Sequence, residues 1–107
     1  MTVIKIRELN DSFRQTLIGG KVLITRGVSA MSEIDREILL NKVKAFNSFS
    51  EKNDPYKEHD FGCINFKGEQ FFWKIDYYDV DYCCLSPDAS DDSVTNRVLT
   101  IMCAEEF

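Results

Sequence analysis

One histidine, two prolines and five glycines are all that 107 residues contain. With so little Pro and Gly, and with 44% hydrophobic and 29% charged residues, the chain is neither low-complexity nor disordered in composition. No apolar stretch approaches the ~18 residues that span a bilayer, so no membrane partner is expected. The opening "MTVIKIREL" has too short an apolar run, with charges too early, for a secretory signal. A cytoplasmic protein with reduced thiols is the expectation. Lys and Arg are scattered, and the net charge is −5, which argues against direct nucleic-acid binding. Cys63, Cys83, Cys84 and Cys103 form no C-x-x-C pair, and a lone His59 leaves no zinc set. "IGGKV" precedes a strand pattern rather than a helix, so it is not a phosphate loop, and no cofactor is called for.

The length fits a single domain, 1–107. Ile6, Leu9, Phe13 and Leu17 recur at helical spacing and predict a helix over 3–17, stopped by Gly19 and Gly20. "KVLITRG" predicts a short strand ending at Gly27. Ser32 is placed to cap a helix over 33–49, with Ile34, Ile38, Leu39, Val43, Phe46 and Phe49 on its apolar face. The loop "SEKNDPYKEHD" follows, then a hairpin of 61–66 with 70–78 through "KGE" at 67–69. Alternation puts Phe71, Trp73, Ile75 and Tyr77 on the core side, and Phe72, Lys74, Asp76 and Tyr78 on the other. Val94, Val98, Ile101 and Met102 predict a last helix from Asp91 or Asp92 through "SVTNRVLTIMCAEE". The reading is an α+β fold in the order α-β-α-β-β-α, a three-stranded, mainly antiparallel sheet with helices packed mainly on one face.

Two groups of residues carry candidate chemistry. Asp54, Glu58, His59 and Asp60 bring a histidine among carboxylates, the material of a general base. Cys63, four residues on, is a conceivable nucleophile. The bland reading of this loop is architectural, with Asp54 and Asp60 accepting from turn amides and His59 as the donor partner of Asp60. The second group is Phe72, Lys74, Asp76, Tyr78, Asp79 and Asp81. Acids and a lysine on a hairpin resemble a metal-dependent nuclease arrangement, but the order departs from D…E-x-K, and an ion pair on the open side of the sheet explains Lys74 and Asp76 as well. Phe71 to Tyr82 holds more aromatic rings than one sheet face can bury. Aromatic anchors with a charged rim are the material of protein interfaces.

"FNSFSEKNDPYKEHDFG", "FFWKIDYYD" and "TNRVLTIMCAEEF" resemble the motifs of an uncharacterised bacterial family, a domain of unknown function met on proteobacterial plasmids and mobile elements. The resemblance brings no catalytic residues. It implies a mobile-element setting, in which small acidic proteins often act as anti-defence factors. The expected function is therefore a non-enzymatic interaction factor, an inhibitor of a host CRISPR or restriction nuclease complex, bound through the acidic and aromatic surface to a protein partner. The alternative is a small metal-dependent nuclease or hydrolase using His59, Asp60 and Asp76.

Overall fold

The computed structural model describes residues 2–107. Helix α1, Thr2–Thr16, buries Ile6, Asn10, Phe13 and Arg14, one side of the helix at three- and four-residue spacing. Leu17 and Gly19 then take positive φ and turn the chain out of the helix. Strand β1, Gly20–Ile24, is shorter than expected, because a one-turn helix α2, Arg26–Ser29, follows it. Helix α3, Glu33–Lys44, begins as anticipated, with the Ser32 hydroxyl accepting from the Asp35 amide at 3.1 Å. It ends five residues before 49. The Phe46 carbonyl accepts from the Arg14 guanidinium, and Phe46 and Phe49 pack edge-on against Trp73 from the loop instead.

Strands β2, Phe61–Phe66, and β3, Glu69–Tyr78, form the anticipated hairpin. Its connection is two residues rather than three: Lys67 and Gly68 have φ of 52° and 78°, and Glu69 already pairs with Phe66. Two successive positive φ values match the twist of the flanking strands.

The predicted last helix is a strand. β4, Asn96–Cys103, lies between short 3-10 turns at Asp92–Val94 and Ala104–Glu106. Val98, Leu99, Ile101, Met102 and Cys103 are all buried, so both faces of this strand are covered. A strand covered on both faces loses its two-residue alternation, and its apolar run then contains a helix-like spacing by coincidence.

Among the described residues the sheet therefore has four strands, not three, in the order β1-β4-β3-β2. β4 is central, antiparallel to β3 and parallel to β1. Trp73, Phe71 and Ile75 of β3 and Leu99 and Ile101 of β4 pack with Phe13, Val28, Leu39 and Val43 into one core on the helical side. The α+β class and the in/out phase of β3 stand as anticipated.

Candidate functional site

The loop between α3 and β2 is held by side chains from distant elements. His59 lies in left-handed backbone conformation, φ 55°, with its ring stacked on Phe49 at 3.7 Å between centroids. Its Nδ1 is 2.8 and 3.0 Å from the two Asp11 oxygens, and since a carboxylate only accepts, Nδ1 is the donor. Nε2 sits 3.5 Å from Asp54 Oδ2. The expected His59–Asp60 pairing is thus replaced by contacts to Asp11 of α1 and to Asp54. Asp54 is buried and accepts from the His59 amide at 3.1 Å, as a turn-closing acid does.

A second polar chain runs beneath. Arg97 Nε donates to Asn10 Oδ1, Asn10 Nδ2 donates to the Tyr77 hydroxyl, and that hydroxyl donates to Glu58, with distances of 2.7–2.8 Å. Burial, then the hydrogen bond to Glu58, holds the Tyr77 phenol well above its ordinary pKa. Asp60 caps the strand through its backbone, its carbonyl accepting from the Ile75 amide at 2.8 Å. Its carboxyl is pushed above the usual carboxylate range by burial first and by the nearby Glu58 charge second. Cys63 is partnered with Phe72 on the face away from this loop, so the histidine and the cysteine are on opposite sides of the sheet.

Among the described residues, that opposite face carries no α-helix. Across it run the rows Lys21–Val98–Asp76 and Leu23–Thr100–Lys74 and the pair Met102–Phe72, read from the strand registers. A concavity of about 670 Å³ lies over β4, with Val98 and Met102 in its lining, Tyr78 and Tyr82 toward one end and Glu106 and Phe107 toward the other. A volume of this size falls in the range of binding clefts. Lys74 Nζ is 3.1 Å from Asp76 Oδ2, the ion pair anticipated on this side. Lys21 Nζ lies 4.1 Å over the Tyr82 ring.

Of the predicted surface, Lys74, Asp76 and Tyr78 line the cleft. Phe72 stands beside it, packed against Phe61 and Phe107. Asp79 accepts from the amides of Asp81 and Cys83 and shapes the following turn, while Asp81 is exposed. Val98, Thr100 and Met102 were missed because β4 reads as a helix, and Lys21 and Leu23 of β1 with them, since β1 joins this face only through β4.

The family model for DUF3768, a protein of unknown function, matches residues 24–106. The chain belongs to that family. No curated protein and no solved structure matches it. In this DUF3768 chain the matched segment takes in the whole 50–60 loop and strands β2, β3 and β4, whereas Asn10, Asp11 and Lys21 lie before it. Among the described residues no three His, Cys, Asp or Glu side chains are grouped as a metal site, and no helix is long and apolar enough to cross a membrane.

Proposed function

We propose that this DUF3768 chain is a non-enzymatic interaction factor that binds a protein partner through the helix-free face of its sheet. The observation that supports the reading is the cleft over β4: Val98 and Met102 form its buried floor, Leu23, Tyr82 and Phe107 stand exposed around it, and Asp76 lies in its lining with Asp81 beyond. Apolar anchors ringed by charge are the usual anatomy of a protein interface. The net charge of −5 fits a partner whose docking surface is basic. In the mobile-element setting that the sequence motifs resemble, a host nuclease complex is such a partner, its own nucleic-acid surface being basic.

The alternative, a nuclease or hydrolase around His59, Asp60 and Asp76, has less support. Both ring nitrogens of His59 face carboxylates of the chain itself, and Asp76 is paired with Lys74 across the sheet from the helical side.

The test uses tagged chain in host lysate, followed by titration of the captured complex's nuclease activity. Wild type is expected to capture one complex at fixed stoichiometry and to inhibit it. Asp76→Lys and Tyr78→Ala are expected to lose both effects while keeping the fold. Phosphodiesterase activity of the isolated chain that disappears in His59→Ala would favour the hydrolase instead.

A further inference from the structure

All five residues of β1, Gly20–Ile24, are exposed, though β1 is a full member of the sheet. Among the described residues it is an edge strand, bonded on one side to β4 alone. The Thr25 amide, just past the end of β1, donates to the carbonyl of Ile101, which is the register partner of Ile24. In a parallel ladder a residue directs its N–H and C=O to the same neighbour, and adjacent residues alternate. Lys21, Leu23 and Thr25 therefore bond β4, and Gly20, Val22 and Ile24 turn their backbone groups outward.

Natural edges are guarded by proline, bulges, helices laid across them or free lysines. "GKVLI" has no proline, and its one charge, Lys21, is folded over the Tyr82 ring. Val22, Leu23 and Ile24 are 36%, 51% and 46% exposed. Val22 and Ile24 also line an apolar groove of about 310 Å³ beside α3, with Leu39 and Leu40 on its far wall and Glu33, Arg36 and Glu37 at its rim.

We propose that β1 pairs with β1 of a second copy of this chain, antiparallel about a two-fold axis at Val22, joining two sheets into one. Register and charge suit a second copy as the occupant. With Val22 opposite Val22, Gly20 meets Ile24 in both directions, and every outward N–H and C=O of these three residues finds a partner. On the groove side apolar residues then meet apolar residues. On the cleft side Lys21 falls opposite Leu23, so no like charges oppose each other, which a self-pairing strand requires. The contact also makes the two clefts neighbours on one continuous face, since Lys21 and Leu23 line the cleft and border the joint.

The interface is one short strand and its flanks, smaller than the ~800 Å² per partner of a standard interface, so association is expected in the micromolar range. The full chain, with its thiols kept reduced, is sedimented at concentrations from about 1 to about 300 µM, bracketing that range. The weight-average mass is expected to rise from 12.4 kDa toward twice that value. In the same samples amide exchange at Val22 and Ile24 should slow at least tenfold as the dimer fills. Val22→Pro removes an N–H that the single chain does not use, so it is expected to stay folded and monomeric throughout. A chain that remains monomeric, including one whose β1 accepts a strand only from another protein, overturns the proposal. So does a dimer that survives Val22→Pro, or one in which the Val22 and Ile24 amides exchange as freely as in the monomer.

Discussion

His59 is the residue that most invites a catalytic reading, and its surroundings give it a mechanical task. It joins α1 to the 50–60 loop through Asp11, and it covers Phe49, whose edge meets Trp73. His59→Ala is expected to lower stability by roughly 1–3 kcal/mol, a charge-assisted hydrogen bond plus ring packing, measured by urea unfolding. Asp60 should behave in the opposite way. Its folded-state pKa is raised, so the folded chain holds its proton more tightly than the unfolded chain does. That preference favours folding below the ordinary aspartate pKa and is lost as pH rises through the raised value. Asp60→Asn should therefore raise the melting temperature near pH 7, and the gain should vanish near pH 3, below the ordinary Asp pKa of ~3.9. Calorimetry at both pH values checks the sign. The loop's architectural role was legible from "NDP" and from Asp54. The Asp11 partner was not, since it lies 48 residues away. A clue was present in α1, where Asn10 and Arg14 occupy positions on the same side as Ile6 and Phe13. Polar residues on a buried stripe need partners, and the sequence does not say which.

At the scale of elements, β3 was read in the correct phase because one of its faces is apolar and the other mixed. Trp73 is fully buried, and Trp73→Ala is expected to cost about 3–5 kcal/mol. Gly62 is its counterpart on β2. A Cβ there would come within 2.3 Å of Trp73 Nε1 and 2.8 Å of the Phe46 ring. Gly62→Ala should thus destabilise by about 1–3 kcal/mol through overpacking, with a loss of near-UV tryptophan dichroism as a second readout. β4 was misread for the complementary reason, since a strand buried on both faces keeps no alternation. The turn after it is tied back to the start of α2. Glu106 accepts from the Thr25 hydroxyl and from the amides of Gly27 and Cys103. Those bonds, the Thr25 hydroxyl foremost, hold its carboxyl down at about 2. A depressed pKa contributes stability above the unfolded value and loses it as pH falls through the folded one. Glu106→Gln should lower the melting temperature at neutral pH, with the difference shrinking between pH ~4.3 and ~2. A constant difference across that interval would show that the bonds are indifferent to its charge.

For the molecule as a whole, the register of β1 against β4 sets the order in which the fold can be completed. Gly20 meets Arg97 and Ile24 meets Ile101, so the parallel pair closes most of the chain into one loop. The β2–β3 hairpin, by contrast, closes over the two residues Lys67 and Gly68. Closure entropy favours the hairpin first and the β1–β4 pair last. In pulse-labelled refolding, the amides of β3 facing β2 should be protected before those of Lys21 and Leu23. Of the two inner strands of the sheet, β4 is also the latest in the chain. On a ribosome, β1 and β3 would therefore emerge with bare flanks and wait for residues 96–103, and α1 and α3 would cover half a floor until those residues arrive.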